Sequence, residues 1–379
     1  MSSPNESPAR IAFVAGTLGQ GGAEKQLVYM ARALRDAGAD VRVYCLTRGE
    51  YYERALADLG PAPEWVGRYA APPLRTLALV GALRRFRPDI VQSAHFYTNL
   101  YVAMAAPLVR AVGIGAARND VLHEVEYNGR WGRWLLHAPS ALIVNSTAAR
   151  DNALTLGLTH QRIHVLPNVI DLAAFDAAGG STPRRENDPL VVVGVGTFVP
   201  QKRFDVFLEV IAAARAQGAP VRGVLAGDGP ERAALERRAA ALGLGSDAIA
   251  FVGRRNDIPA LLRTADVFML TSDHEGFPNV VLEAMAASLP VLCTATGDAR
   301  AIVDHGVTGY VTALGDVSCL TEHLVALSRS SDARRRLGDA GRRRVETQYG
   351  FGNLAARLAA IHGAVAAGRQ RKKRAQMPV

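Results

Sequence analysis

Two carboxylates, Glu275 and Glu283, frame the run Glu-Gly-Phe-Pro-Asn-Val-Val-Leu-Glu. An apolar stretch, Val267–Leu270, precedes it, and a helix-like run, Val280–Ala287, closes it. The order strand, loop, helix puts one acid in the loop and the other about one turn into the helix. A helix start offers N–H groups without intrahelical partners and a partial positive charge, which suits a phosphate. Glu283, one turn in, can accept hydrogen bonds from the hydroxyls of a ribose. Glu275, ahead of the turn, can grip a second hydroxyl-rich group. The backbone of Gly276, Phe277, Pro278, Asn279 and Val280 lies between them. One short segment thus has the chemistry to hold a ribose, a diphosphate and a sugar.

Other candidates stand at the ends of other apolar runs. Gly16–Glu24 (GTLGQGGAE) follows Ile11–Ala15. Its glycines let a ligand approach the backbone, and Gly21 and Gly22 open the next helix. The spacing is not that of a dinucleotide fingerprint, and Leu46-Thr47-Arg48 place no acid at the end of the second run. His95 follows Ile90–Ala94. Arg118 ends another run, where it can meet an anionic acceptor or phosphate, or pair at the surface with Asp120 or Glu124. Gly194–Phe204 (GVGTFVPQKRF) carries Lys202 and Arg203, and Arg254 and Arg255 follow Ala250–Val252. No serine–histidine–acid set or phosphate-loop signature appears, and His123-Glu124-Val125-Glu126 does not put two metal ligands on one helix face. The expectation is a reaction without cofactor or metal, in which cations and a helix start oppose phosphate charge.

These residues need a scaffold that gathers strand ends. Apolar runs alternate with helix-period segments: Ile11–Ala15, Val41–Leu46, Ile90–Ala94, Gly115–Arg118, Ala141–Asn145 and Ile163–Leu166, then Val191–Val195, Gly223–Ala226, Ala250–Val252, Val267–Thr271, Val291–Thr294 and Tyr310–Thr312. In Lys25–Arg35, Leu27, Met30, Ala31 and Leu34 share one helical face. Such alternation predicts an α/β fold with parallel sheets covered on both sides. The polar, Gly- and Pro-rich stretch 177–189 separates two such units and reads as a linker.

EGFPNVVLEAMA resembles the E-x7-E element of family 4 of the retaining, nucleotide-sugar-dependent glycosyltransferases, which have the GT-B fold. The resemblance implies two Rossmann-like domains with parallel sheets facing an interdomain cleft. It assigns 1–176 to the acceptor and 190–352 to the nucleotide-sugar, brings the helical run 353–367 back onto the first domain, and leaves 368–379 as a basic tail. It implies that GGAE (Gly21, Gly22) lies against donor phosphates and acceptor, and that His95 approaches the transferred sugar from the acceptor side. Pro167–Asp171 is similar to the family's PNGID element, with Val169 for Gly. Gly227-Asp228-Gly229-Pro230 matches a family turn, and the loop at Arg254 is expected to contact the base. In the family text G-R-x4-K, Arg and Lys both neutralise the donor diphosphate. Lys202 matches, Thr197 stands at the Arg position, and Arg203 is the substitute expected, with Arg254 or Arg255 behind it. Glu275, Lys202 and His95 are the expected catalytic set, and no metal is implied.

At 379 residues the chain has room for two domains, and its 49% hydrophobic content fills their cores. No apolar run approaches the roughly 20 residues of a membrane span. MSSPNESPAR lacks a signal-peptide core, so a cytoplasmic protein is expected. Cys45, Cys293 and Cys319 read as buried thiols. The net charge of +9 comes without a nucleic-acid-binding motif. Arg334–Arg344 reads as a solvated helix face, and Arg369–Arg374 (RQRKKR) as an attraction to an anionic membrane face. The implied activity is retaining transfer of a sugar from a UDP-sugar or GDP-mannose type donor to a saccharide or polyprenyl-linked acceptor in polysaccharide or envelope synthesis. A nucleotide-sugar 2-epimerase on the same fold, or a non-catalytic binding scaffold, are the alternatives; donor-only turnover separates the first and donor-dependent nucleotide release the second.

Overall fold

The structure, a computed structural model, describes residues 9–178 and 189–375. The first seven strands are β1 (Arg10–Ala15), β2 (Asp40–Cys45), β3 (Glu64–Trp65), β4 (Ile90–Ser93), β5 (Val112–Ala117), β6 (Ala141–Val144) and β7 (Ile163–Val165). They form one sheet in the order β3-β2-β1-β4-β5-β6-β7. The next six are β8 (Leu190–Val195), β9 (Val221–Ala226), β10 (Ile249–Gly253), β11 (Val267–Leu270), β12 (Val291–Thr294) and β13 (Gly309–Thr312), in the order β10-β9-β8-β11-β12-β13. Neighbours in both sheets run parallel.

Parallel strands are apolar on both faces because helices cover both. In β1, Ile11, Phe13 and Ala15 face one core while Ala12 and Val14 face another. In β11, Val267 and Met269 divide in the same way from Phe268 and Leu270. The period of two thus produces two cores per sheet. Leu27, Met30, Ala31 and Leu34 are the buried stripe of the helix Gly22–Asp36. Strand bounds fall within a few residues of the apolar runs. The additional strand, β3, is a two-residue exposed edge whose Trp65 Nε1 donates to the Leu46 carbonyl. It is too short to carry an alternation.

The strand order of both sheets reverses at their first strand: β1 lies between β2 and β4, and β8 between β9 and β11. Connections leave such a switch point to opposite sides, so the carboxyl ends of the two central strands are open to a ligand. Those ends are the glycine loop and His95 in the first sheet, and the Lys202 and Glu275 loops in the second.

The chain divides into two compact units, residues up to Val169 with Phe351 onward, and Ile170–Gly350. The first crossing therefore lies inside the PNVID element, before the expected boundary at 176. Val169 stays in the first unit, where Gln26 donates to its carbonyl (2.8 Å) and accepts from its N–H (3.0 Å). Ile170 N–H donates to the Tyr349 carbonyl, Phe175 joins a core of the second unit, and Asp176 is held by Arg342 at 2.7 Å and Arg263 at 3.2 Å. Most of the expected linker, 179–188, lies outside the described residues.

The final helix runs Leu354–Ala375. Leu354, Leu358 and Val365 enter the core of the first unit, with His362 buried on the same stripe. The helix continues through most of the expected tail. Arg369 donates to the Arg110 carbonyl (3.1 Å) and to that of Ala111, so it is tied to the protein. The remaining side chains of RQRKKR lie outside the described residues. Arg334–Arg344, expected to be solvated, is partly structural: Arg342 also reaches the Ala286 carbonyl, and Arg344 reaches that of Ala301. Burial keeps Cys45 and Cys293 protonated, with Cys293 pushed up to about 12; Cys319 is half-buried.

Candidate active site

In the second unit the site is built by two loops at the carboxyl ends of β8 and β11. After β8 the chain enters a short turn of helix, Pro200–Lys202, and leaves it through Arg203 in the left-handed region (φ 48°, ψ 44°). That turn aims Lys202 at the β11 loop. Its Nζ lies 2.5 Å from Glu275 Oε1, and both side chains are largely buried. Ser272 Oγ donates to the same carboxylate oxygen at 2.8 Å. The two loops are also tied by Thr271 Oγ1 to the Lys202 carbonyl (3.0 Å) and Asp273 N–H to the Gln201 carbonyl (2.9 Å).

A third loop supports Glu275 from behind. Thr294 and Thr296 donate to the carbonyls of Ser272 and Asp273. Gly297 has φ 49°, and a Cβ there would stand 2.3 Å from the Glu275 carbonyl oxygen. Thr296-Gly297-Asp298 is therefore packing for the acid loop. Gly227 and Gly229 do the same for the β8 loop, since a Cβ on either would strike the backbone of Gly196 or Phe198.

Four residues beyond Glu275 the helix Asn279–Ala286 begins, with Pro278 as N-cap and no side-chain cap. Glu283 is half-buried one turn along it. The E-x7-E segment thus has its expected form, with Lys202 at its entrance. The Phe277 side chain, a candidate for ligand contact, is buried against Tyr349 (5.8 Å between centroids), so only its backbone is available.

The expected substitute for the absent arginine is already matched by acids. The Arg203 guanidinium binds Asp205 through Nε (3.0 Å) and Nη2 (3.0 Å), and Asp273 through Nη1 (3.1 Å). These hydrogen bonds, first to Asp205 and then to Asp273, raise its pKa further. Arg203 therefore acts here as a strut that fixes the loop preceding Glu275. Arg255 pairs with exposed Asp257. Arg254 is exposed after β10 and makes no ion pair among the described residues. Thr197 is exposed too.

In the first unit, Gly21 is the N-cap of the 22–36 helix, and Glu24 folds back over it. A Cβ on Gly21 would lie 2.2 Å from Glu24 Oε2. Glu24 is buried and faces His95 Nε2 at 3.2 Å. His95 Nδ1 accepts from Gly16 N–H at 3.1 Å, which leaves the ring proton on Nε2, donated to Glu24. Both ring nitrogens are thus engaged within the protein. Ser93 Oγ and Thr98 Oγ1 hold the His95 carbonyl, and Tyr97 stacks on the ring at 5.6 Å.

The β1 loop has an acidic partner that the end of β2 did not reveal. Glu50, a few residues further on, accepts from Thr17, Thr47 and the Leu18 N–H. Burial works to raise its pKa, and these hydrogen bonds more than offset that, holding the carboxyl below its usual range. Glu24, Ser272 and Asp273 were also missed as site residues. Glu24 lies within the GTLGQGGAE run, and Ser272 and Asp273 immediately precede His274-Glu275; their proximity to ligand-like residues was the available signal.

Among the described residues Arg118 makes no ion pair. Asp120 caps the helix Val121–Tyr127 and takes a hydrogen bond from Asn152, while burial raises the pKa of Glu124. The Arg118 guanidinium turns inward to Met30 Sδ (3.1 Å), and burial alone pulls it down to about 10. Among the described residues no cluster of His, Cys, Asp and Glu could hold a metal ion, and no helix is long and apolar enough to cross a membrane.

Two family profiles match the chain: "Glycosyltransferase Family 4" over residues 20–174 and "Glycosyl transferases group 1" over 181–344. The putative glycosyltransferase EpsF of Bacillus subtilis is 28% identical over 351 residues, spanning 87% of this chain and 90% of EpsF. N-acetyl-alpha-D-glucosaminyl L-malate synthase of Bacillus anthracis is 31% identical over 126 residues, a third of each protein (33% and 33%). Among solved structures, Anabaena HepE in complex with UDP and glucose superposes with a TM-score of 0.80 at 21% identity, covering 92% of this chain and 98% of HepE. The motifs, the paired parallel sheets and these matches agree: the chain belongs to family 4 of the glycosyltransferases and has the GT-B fold.

Proposed function

We propose that the protein transfers a sugar, with retention at the anomeric carbon and without a metal, from a nucleoside-diphosphate-sugar to a hydroxyl of a saccharide or lipid-linked saccharide acceptor in glycan synthesis. The observation that carries the reading is the 2.5 Å contact of Lys202 with Glu275 at the β8/β11 switch point, next to the start of the 279–286 helix. The bond from the anomeric carbon to the diphosphate oxygen breaks and negative charge grows on the leaving group. Lys202 and the positive end of the helix are poised to meet it. Preorganised charge of this kind is usually the largest catalytic contribution. Glu283 holds the ribose, and the amides of 276–280 meet the phosphates. Glu275 orients the sugar hydroxyls once the diphosphate attracts Lys202 away from it.

The acceptor oxygen attacks on the face that the diphosphate leaves, and its proton passes to a donor phosphate oxygen. No covalent intermediate on the protein is required. Residues of the first unit, Gly21, Gly22 and His95, serve the acceptor side, with His95 holding Glu24 and the glycine loop in place. HepE, whose structure with UDP-glucose shares this fold, makes a UDP-sugar a reasonable first donor. GDP-mannose is the other candidate. The reading places the reaction in the cytoplasm, with the basic run 369–374 drawing the protein toward an anionic membrane face. Calorimetry of a nucleotide-sugar panel identifies the donor, and proton NMR of the product gives the anomeric configuration. Retention is expected; an inverted product would refute the mechanism.

A further inference from the structure

The first unit contains a largely buried cation that the transfer scheme does not use. Arg118 follows β5 directly, at the carboxyl edge where a parallel sheet receives ligands. Its guanidinium donates to a thioether, Met30 Sδ, a weak acceptor. Its Nε has no solvent contact and no hydrogen-bond partner. No carboxylate among the described residues pairs with it, and burial is the sole influence on its ionisation. A buried guanidinium is normally matched by an anion, because desolvating an unpaired charge is costly.

The adjacent strand supplies a second unmatched group. Ala117 pairs with Val144, so Arg118 and Asn145 are neighbours just beyond the paired ends of β5 and β6. Asn145 Nδ2 donates to the Arg118 carbonyl at 2.8 Å, fixing that backbone, while its Oδ1 is buried without a partner. The next residue, Ser146, caps the helix Thr147–Thr155, whose positive end therefore adjoins the same edge. Arg118 keeps part of its surface open, so a small group can reach it.

We infer that Arg118 and Asn145 form a binding site for an oxyanion, a phosphate or carboxylate, carried by the acceptor. The planar fork of a guanidinium fits either group, and Asn145 Oδ1 can take a hydroxyl next to the anion. That the anion belongs to an acceptor rests on the glycosyl-transfer reading; that the site binds an anion does not.

The test titrates inorganic phosphate, and separately acetate, into the full-length protein and follows its thermal midpoint. Phosphate can also occupy a donor site, so Lys202→Met is measured in parallel. The site predicts a saturable rise that persists in Lys202→Met and weakens at least tenfold in Arg118→Met. It also predicts that Arg118→Met, freed of an unpaired buried cation, melts no lower than wild type without phosphate. A response in acetate alone assigns a carboxylate acceptor, and one in phosphate alone a phosphorylated acceptor. An undiminished response in Arg118→Met, or no response to either anion, overturns the site. A sharp fall in the anion-free midpoint of both Arg118→Met and Arg118→Lys makes Arg118 structural and overturns it as well. Failure of glycosyl transfer would appear separately, as absence of nucleotide-sugar binding.

Discussion

Acidification should weaken the first unit through His362. This residue is buried in the final helix, and its Nε2 lies 2.8 Å from Gln92 Oε1. Burial lowers its pKa from the ordinary 6.5 to about 4. The folded protein therefore keeps the ring neutral across a window in which the unfolded chain binds a proton. Stability is full above about pH 6.5 and declines as pH falls toward 4. At about 1.4 kcal/mol per pKa unit, the loss over the window comes to about 3 kcal/mol. All three tryptophans, Trp65, Trp131 and Trp134, belong to the first unit, so urea denaturation followed by tryptophan fluorescence reports on it selectively. His362→Gln keeps an amide donor for Gln92 and removes the titration. The wild-type midpoint should fall relative to the variant between pH 6.5 and 4, with the two curves parallel above that range. Equal slopes throughout would refute the assigned burial of His362 and with it this docking of the helix.

Gly297→Ala should destabilise the second unit by about 1–3 kcal/mol, because it strains a left-handed backbone against the Glu275 carbonyl; denaturation measures the loss, and donor affinity should fall with it. Asp176→Asn should cost about 1 kcal/mol, discounted for its partial exposure, by loosening the clamp to Arg342 and Arg263. The Arg342 hydrogen bond is the main influence holding the Asp176 carboxyl below its usual range. Its contribution is present at neutral pH and disappears as pH falls through that lowered value. The wild-type advantage over Asp176→Asn, measured by urea denaturation followed by circular dichroism, should therefore vanish in strong acid.

The sheets were legible because parallel strands bury both faces and so appear as short apolar runs; β11 and β12 coincide with theirs almost residue for residue. The Glu275–Glu283 motif was legible because both acids and the turn between them are contiguous in the chain. Contacts between loops distant in sequence were not. Nothing in QKRF tells that Arg203 will pair with Asp273, because that depends on how the β8 and β11 loops meet. Glu50 was hidden for the same reason: two of its partners, Thr17 and Leu18, lie in the β1 loop. The crossing at Val169 was misplaced because composition marks the polar stretch 177–189, whereas Phe175 and Asp176 had already committed the preceding helix to the second unit. For Arg118 the sequence left an anionic ligand and a surface ion pair with Asp120 or Glu124 both open, because it does not reveal that the side chain folds back onto Met30.

The central claim is that Lys202 and the adjoining helix start separate a diphosphate from a sugar with no ion required. It is tested most directly by the initial rate of nucleoside-diphosphate release in excess EDTA, for wild type, Lys202→Ala and, as a control, Arg344→Ala. Wild type and Arg344→Ala should turn over equally well with and without chelator, and Lys202→Ala should be slower by about 10²–10³, or roughly 3–4 kcal/mol. Near-normal release by Lys202→Ala, or wild-type activity abolished by EDTA and restored by a divalent ion, would contradict it.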